Sequence, residues 1–228
     1  MKVSWRCITY QREKHLPDIV NMFLKQDYPN KEFVILNDDP DVEYVCKHPE
    51  VRIYNWKYRF RNIREKADRC VRFCTGDIFI PIGDDDMWEP HATSRFVKEI
   101  GDDPFVACRG FWKLGGTSNK GLKNRKGARW HGTPIASLYA CRLDFFKEMG
   151  GYAKWLNRLK NDKTGYEWIV HPENFMQRVQ EAGCYKEFTC KMIDGFFTWY
   201  RFADHSNWNT SDERKFLLKP RTPRVIHI

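Results

Sequence analysis

Short apolar runs alternate with amphipathic stretches through the first half of the chain. Apolar residues dominate Val3–Tyr10, Glu32–Leu36 and Asp77–Ile82, and polar turns bound each run, as is typical of buried parallel strands. Between the first two runs, Leu16–Gln26 repeats its apolar residues at helical spacing. This order of strand, helix and strand predicts an α/β fold with a mostly parallel sheet.

The same patterns predict the remaining elements. Further strands are expected over Val51–Trp56, Phe105–Trp112, Pro134–Cys141, Lys186–Ile193 and Phe196–Phe202. Further helices are expected over Asn62–Cys74, His91–Ile100, Asp144–Glu148 and Glu173–Ala182. Gly76 is expected to close the Asn62–Cys74 helix as a glycine just past its end. The chain shows neither an internal repeat nor a linker, which predicts a single domain over residues 1–228.

Composition excludes several classes of protein. Of 228 residues, 42% are hydrophobic and 15% aromatic, which is enough for a core and excludes a wholly disordered chain. A membrane span needs roughly 20 apolar residues, and the run near Ile78–Ile82 is far shorter. The N-terminus lacks the pattern of a signal peptide, so a cytoplasmic location is expected, in the host if the chain is viral. Eight cysteines without a CxxC motif favour buried thiols over a zinc site or disulfides.

The positive charge is concentrated in a few segments. The formal net charge is +9, and Arg109–Arg129 holds seven Lys or Arg residues without an acid. Arg214–Ile228 holds five more, again without an acid. We therefore distinguish a basic loop, residues 113–129, which is expected to be mobile over Gly115–Gly127, and a basic extended tail, residues 214–228. Such runs are most often solvated surface, but together they favour an acidic partner, such as nucleic acid, a nucleotide diphosphate or an anionic glycan.

Three aspartates follow the buried strand that ends at Ile82. In an extended segment, Asp84 and Asp86 project to the same side. Adjacent carboxylates repel one another, and a hard cation such as Mn²⁺ or Mg²⁺, which takes its other ligands from substrate phosphates, relieves that repulsion. A solvated acidic turn is the alternative interpretation.

A second acidic pair, Asp38 and Asp39, follows the Glu32–Leu36 strand. Parallel strands end at the same edge of a sheet, and ligands of open α/β sheets bind there. Carboxylates at this edge can accept hydrogen bonds from ribose hydroxyls or a base N–H. An Asx turn before Pro40 is equally compatible with this stretch.

Five segments in order resemble GT-A glycosyltransferases of the family-2 type. They are Ile8–Arg12, Phe33–Asp39, Thr75–Phe79, Asp84–Pro90 and Phe146–Tyr152. The resemblance covers about residues 3–205 and is stronger in the first half. It implies a GT-A fold, Rossmann-like with a mixed, mostly parallel sheet flanked by helices. It also implies transfer of a sugar from a nucleotide-diphosphate donor to an acceptor hydroxyl, typically with inversion.

The resemblance also assigns residues to the donor and the metal. Those implied in donor binding are Thr9, Tyr10, Asp38, Asp39, Lys66, Asp68 and Asp85. Asp39-Pro40 stands where relatives usually have Gly-Ser, so the choice between Asp38 and Asp39 stays open. Asp84 and Asp86 match the Asp-x-Asp motif that binds Mn²⁺ or Mg²⁺, and His205 lies where relatives place a residue over the metal or diphosphate. A structural histidine is the other interpretation of His205.

The resemblance places a general base near the start of a late helix. Glu173 is nearest to that position, Glu167 is its rival, and Asp162 is a distant third. A carboxylate would take the proton of the attacking hydroxyl. Glu173 could equally stabilise the N-terminus of its helix.

The acceptor is predicted from charge. Cationic residues of the basic loop are candidates to grip a phosphate backbone, with Phe111, Trp112 and Trp130 nearby for stacking; they are Lys120, Lys123, Arg125, Lys126 and Arg129. A basic chain without a membrane anchor favours a phage enzyme that glycosylates a hydroxymethylated pyrimidine base in DNA. A surface-glycan or lipid-linked acceptor is the main alternative, and a nucleic-acid-binding module without catalysis is an alternative of another class.

Overall fold

The structure is a computed structural model. It describes residues 1–60, 63–114, 129–131, 139–148, 150–152, 191–201 and 222–228. The strands are β1 (Val3–Thr9), β2 (Lys31–Asn37), β3 (Val42–Val45), β4 (Val51–Asn55), β5 (Ile78–Ile82), β6 (Met87–Trp88), β7 (Phe105–Leu114), β8 (Arg129–His131), β9 (Tyr139–Arg142), β10 (Lys191–Arg201) and β11 (Arg224–His227). The helices are α1 (Leu16–Leu24), α2 (Ile63–Arg72), α3 (Ala92–Ile100) and α4 (Leu143–Glu148).

The main sheet is mixed and begins with four parallel strands. Its order is β4-β2-β1-β5-β9-β7-β10-β6, with β8 paired to β7. Strands β4, β2, β1 and β5 run parallel, whereas β9 runs antiparallel to both of its neighbours. The carboxyl ends of the four parallel strands therefore meet at one edge. This architecture confirms the predicted α/β fold class.

Both faces of this sheet are covered, which explains the continuous apolar runs. On one face, Trp5 packs edge-on against Phe23 of α1, with ring centroids 5.4 Å apart, in a core shared with α3. On the other face, Phe79 packs against Phe146 of α4, with centroids 5.0 Å apart, in a core shared with α2. Within the described residues, no helix is long and apolar enough to cross a bilayer.

The cysteines in the described part of the chain are free thiols. Five of the six are buried, and Cys46 is half-buried. Their burial agrees with the prediction of reduced, apolar thiols. Cys184 and Cys190 lie outside the described residues.

Gly76 does not cap α2 in the predicted way. The helix ends at Arg72, and Gly76 is not among the described glycines with positive φ. A Cβ at Gly76 would lie 2.7 Å from Ser4 Oγ and 2.8 Å from the Lys2 carbonyl. The prediction gave the wrong reason for glycine at position 76. Glycine is required there because the backbone approaches β1 closely.

The late strands also differ from the prediction. Within residues 191–201 there is one strand, β10, instead of two separated by a break. Its pairing with β7 shifts register between Ile193 and Phe196 and again between Phe196 and Trp199. These irregularities interrupt the alternation of side chains along the strand. In the sequence, such an interruption resembles the end of one strand and the start of another. The predicted helix Glu173–Ala182 and the loop Gly115–Gly127 lie outside the described residues.

The end of the basic tail forms a strand of its own small sheet. β11 pairs in parallel with β3, with Arg224 opposite Val42 and His227 opposite Val45. The Arg224 N–H donates to the Asp41 carbonyl at 2.9 Å. The sequence predicted only an extended tail, because a four-residue strand with a distant partner carries little local signal.

Candidate functional site

Two strand ends are joined by a side-chain hydrogen bond at the carboxyl edge of the sheet. Thr9 ends β1, and its hydroxyl donates to Asp84 Oδ2, just beyond β5, at 2.7 Å. The Thr9 carbonyl accepts a 2.6 Å hydrogen bond from Lys66 Nζ of α2. Thr9 therefore connects the aspartate triplet to a buried cation.

Asp38 is the centre of a buried ion cluster. Its side chain is fully buried, and Arg59 Nη1 lies 2.5 Å from its Oδ1. Lys66 Nζ also donates to Oδ1, and the Phe60 N–H donates to Oδ2 at 3.0 Å. Burial lowers the pKa of Lys66, while the charge of Asp38 opposes that effect. The cluster binds the segment after β4 and helix α2 to the end of β2.

Arg59 also contacts the face of the Tyr10 ring. Its guanidinium carbon is 3.4 Å from the centre of the Tyr10 ring, a cation–π contact. Burial raises the pKa of Tyr10, and the charge of Arg59 opposes the shift. Sequence reasoning did not assign a role to Arg59; its only signal was the arginine-rich stretch around it.

Asp39 turns away from this cluster and builds the turn after β2. Its Oδ1 accepts the Asp41 N–H at 3.0 Å, and its own N–H donates to Asn37 Oδ1 at 3.0 Å. This is the Asx turn that was the alternative interpretation of the pair. Burial raises the pKa of Asp39. The geometry thus separates the two aspartates, with Asp38 in the ion cluster and Asp39 in the turn.

Arg12 faces the aspartate triplet from the loop after β1. Its Nε is 3.9 Å from Asp84 Oδ1, and its Nη2 is 3.6 Å from Asp85 Oδ2. Burial and the neighbouring Asp85 raise the pKa of Asp84 to about 6, although Thr9 and Arg12 oppose the shift. Gln11, just before Arg12, has a φ of 55°, which is uncommon for a residue other than glycine. Sequence reasoning gave Arg12 no individual role.

Asp86 completes the triplet from a tight turn. Its Oδ2 accepts the Gly83 N–H at 3.0 Å, and a Cβ on Gly83 would lie 2.8 Å from that oxygen. Among the described residues, no three His, Cys, Asp or Glu side chains form a ready-made metal cage. Asp84 and Asp86 still fit a hard cation, because Mg²⁺-type ions use one or two carboxylates and complete their shell with phosphate and water.

Asp68 makes its described contacts elsewhere. Its Oδ1 accepts the Tyr152 N–H at 3.0 Å, and its Oδ2 accepts from Arg72 Nε at 3.0 Å. Gly151 has a φ of +71°, and a Cβ there would collide with Asp68 Oδ1. These contacts explain the Gly-Gly-Tyr sequence after α4. A role for Asp68 in donor binding stays a prediction.

Several predicted site residues lie outside the described residues: Glu167, Glu173, His205, Lys120, Lys123, Arg125 and Lys126. Arg129 is described by its backbone, which pairs with Trp112 of β7, and Trp130 pairs with Phe111. The base of the basic loop is therefore a short antiparallel ladder.

The fold and the clustered carboxylates at the strand ends define the class as a GT-A-type α/β domain. The family profile described as Glycosyl transferase family 2 matches residues 4–205. The chain therefore belongs to glycosyl transferase family 2, which confirms the resemblance found in the sequence. No curated protein sequence matches the chain significantly.

Solved structures of S. aureus TarS share the fold at low sequence identity. S. aureus TarS 1-349 in complex with UDP-GlcNAc aligns with a TM-score of 0.60 and 11% identity, over 92% of this chain and 61% of that one. Its complex with UDP aligns with a TM-score of 0.57 and 11% identity, over 89% and 61%. The mannosyltransferase PcManGT from Pyrobaculum calidifontis, in complex with GDP-Man and Mn²⁺, has a TM-score of 0.48 and 18% identity, over 66% and 47%. This chain thus spans less than two thirds of each of these proteins.

Proposed function

We propose that this chain is a glycosyltransferase that moves a sugar from a nucleotide-diphosphate donor to an acceptor hydroxyl. The observation that carries the proposal is the continuous link from Asp84 through Thr9 and Lys66 to Asp38. It connects a candidate metal-binding carboxylate after β5 to a candidate nucleoside-binding carboxylate after β2, on either side of the end of β1. Membership of glycosyl transferase family 2 supports the same activity.

In this proposal the donor lies along the carboxyl edge of the sheet. Its base and ribose lie toward Asp38 and Tyr10, and its diphosphate lies toward Asp84 and Asp86. A divalent cation, when bound, would neutralise the charge that develops on the leaving diphosphate. Arg12, which already lies near Asp84 and Asp85, would add a fixed positive charge at that end.

The acceptor hydroxyl must lose a proton as it attacks the anomeric carbon. We assign the base to Glu173, with Glu167 as the alternative, because the family resemblance puts the general base nearest to Glu173 and a carboxylate can take that proton. In-line attack opposite the leaving diphosphate would invert the anomeric centre. Glu173→Gln should therefore abolish transfer while donor binding persists, whereas Glu167→Gln should retain transfer.

The test of the metal-dependent chemistry uses the full chain with UDP-GlcNAc and GDP-mannose as probe donors. Release of nucleoside diphosphate is measured with Mn²⁺ and with excess EDTA. Asp84→Asn and Asp86→Asn should lose at least 10²-fold in turnover, because each removes charge from the metal-binding pair. Asp102→Asn, an exposed aspartate after α3, is the matched control and should keep full activity. Undiminished turnover in EDTA would overturn the metal assignment.

For the acceptor, we propose duplex DNA that carries a hydroxymethylated pyrimidine. The supporting feature is the acid-free run Arg109–Arg129, together with the basic tail. Neutralising about six phosphates would make DNA binding fall by roughly 10³ between 50 and 200 mM salt.

The DNA proposal is tested with two matched quadruple variants. Alanine at Lys120, Lys123, Arg125 and Lys126 should weaken DNA binding without changing donor hydrolysis. Alanine at four exposed lysines elsewhere, namely Lys14, Lys25, Lys47 and Lys98, removes the same charge and should leave most DNA binding. Equal losses of DNA binding in both variants would show that only the net charge of the protein matters. Transfer to a surface glycan or lipid-linked saccharide, without DNA binding, would replace the DNA proposal.

A further inference from the structure

Arg59 covers the two groups that the proposed donor site offers to a nucleobase. The Asp38 side chain is fully buried, and Tyr10 is only 8% exposed. The Arg59 guanidinium lies on the Tyr10 ring and at the same time contacts Asp38 Oδ1 at 2.5 Å. A base that stacks on this face of Tyr10 and donates to Asp38 Oδ1 must therefore displace the Arg59 guanidinium.

The guanidinium of Arg59 has the same two features that a nucleobase would bring. It is planar, so it stacks on an aromatic ring, and it carries N–H donors in its plane, so it donates to a carboxylate at the ring edge. Uracil and guanine also combine a flat ring with a ring N–H donor. Arg59 therefore satisfies Tyr10 and Asp38 in the manner of such a base.

We infer that Arg59 occupies the nucleobase subsite when no nucleotide is bound and leaves it when a base with a ring N–H binds. The inference rests on the proposed function and names its substrate class, a uridine or guanosine diphosphate sugar. Cytosine and adenine in nucleotides lack a ring N–H, so they cannot replace the donation to Asp38 in the same way.

The other partners of Asp38 remain after Arg59 leaves. Lys66 is fully buried and is also bonded to the Thr9 carbonyl, and the Phe60 N–H belongs to the backbone. Asp38 therefore keeps a cationic partner and stays ready to accept one N–H from a base. Arg59 follows Tyr58, which is 71% exposed, so the segment that carries it lies at the surface.

The experiment measures binding of UDP, GDP, CDP and ADP to the full chain by calorimetry, at fixed Mn²⁺ and again without metal. Arg59→Ala removes the internal competitor, so UDP or GDP should bind about threefold to tenfold more tightly. Arg59→Met keeps an apolar side chain over Tyr10 but has no hydrogen-bond donors. It should also bind UDP or GDP more tightly than the unmodified chain, by a smaller factor than Arg59→Ala. Arg95→Ala, which removes an arginine paired with Glu99 on α3, is the control and should bind as the unmodified chain does.

A second readout follows Arg59 directly. In protein labelled with ¹⁵N-arginine, the Arg59 side-chain signal, assigned by its loss in Arg59→Met, should carry a ring-current shift from Tyr10. Saturating UDP or GDP should remove that shift, whereas ADP should leave it in place.

The outcomes separate the two proposals. Weaker binding of UDP and GDP by folded Arg59→Ala and Arg59→Met would overturn the inference and leave the proposed function standing. Equal affinity for all four nucleotides would overturn the assignment of the base class. Folded unmodified chain that binds none of the four nucleotides would overturn the proposed function, and this inference with it.

Discussion

The Thr9 hydroxyl donates to Asp84 Oδ2 at 2.7 Å, across the gap between the ends of β1 and β5. The two residues are 75 positions apart in the chain, and the parallel pairing of β1 with β5 brings them together. This bond supplies Asp84 with a donor in a buried setting, where its charge is otherwise costly. The properties of the aspartate triplet therefore depend on a residue of the first strand.

Removing this donor should change the pH dependence of metal-supported donor binding. Thr9→Val deletes the hydroxyl that lowers the pKa of Asp84, so that pKa should rise further above about 6. In the proposed function, donor binding with Mn²⁺ requires the Asp84 carboxylate. The pH at which binding is lost on the acid side should therefore rise by about one unit. Titration calorimetry between pH 5 and 8 measures the shift. Thr9→Ser keeps the hydroxyl, and an equal shift in that variant would contradict the explanation.

Asp84 should cost stability in the metal-free protein at neutral pH. Its pKa is raised from 3.8 to about 6, so the folded state binds more protons than the unfolded state between those values. Stability from this group is therefore present at low pH and is lost as the pH rises through about 6. Asp84→Asn removes the buried charge and should stabilise the metal-free chain by about 2 kcal/mol at pH 8.

Urea denaturation at several pH values, in EDTA, measures this effect. The gain from Asp84→Asn should be constant above about pH 7 and should shrink as the pH falls from about 6 to 4, because Asp84 itself becomes neutral there. Asp102→Asn is the control, since that side chain is fully exposed. A gain that does not vary with pH would point to packing instead of charge.

Glu32, at the opposite edge of the sheet from Asp84, should stabilise the folded protein at neutral pH, whereas Asp84 destabilises it. Burial by itself raises the pKa of Glu32, but hydrogen bonds from Ser4, Thr75 and Lys2 outweigh it and lower the pKa to about 2. The donors include Ser4 Oγ and the Thr75 N–H, each at 2.6 Å. Stability from Glu32 is therefore present above its ordinary pKa of 4.5 and is lost as the pH falls toward 2.

Glu32→Gln should lower the free energy of unfolding by about 2 kcal/mol at pH 7. The difference from the unmodified chain should narrow below pH 4, as measured by urea denaturation. Glu99→Gln removes the acid of a partly exposed helical pair with Arg95 and should cost less than about 0.5 kcal/mol. Similar losses for both variants would show that the Glu32 network adds nothing beyond a surface charge.

The strand β11 should stabilise the turn that carries Asp38 and Asp39. The N–H groups of Arg224 and Ile228 donate to the carbonyls of Asp41 and Val45, each at 2.9 Å. Side chains and N–H groups alternate along a strand, so the Ile226 N–H also faces β3. Ile226→Pro removes that donor and should release β11, lower the melting temperature by several degrees and weaken UDP binding.

Val225→Pro is the matched control for β11. The Val225 N–H points away from β3, and a proline there leaves the ladder intact. Differential scanning fluorimetry and UDP titration on both variants make the comparison. Equal effects on the two variants would show that β11 pairing does not support the turn.

Much of the fold followed from local pattern. The runs that became β2 and β5 are apolar on both faces, and a buried parallel strand is the element that accepts such a run. In β1, apolar Val3, Trp5 and Cys7 alternate with Ser4 and Arg6. Helix α1 could also be predicted from local sequence, because its apolar residues recur at the helical repeat. Acidic residues just beyond apolar runs could be assigned to one sheet edge, since parallel strands end together. The fold class and the clustering of Asp84 near Thr9 were therefore within reach of the sequence.

What the tertiary structure decided was the partner of each long or acidic side chain. Asp38 and Asp39 are neighbours with the same chemistry, and only the path of the turn sends one to Lys66 and Arg59 and the other to its own backbone. The sequence pattern assigned Gly76 to a helix end, whereas glycine is needed there because β1 approaches the backbone closely. Arg59 meets Asp38 across 21 positions, and no local periodicity encodes such a contact. Strand and helix formation depends on neighbours a few residues apart, whereas these partners depend on strand order, which the sequence expresses only through the complete fold.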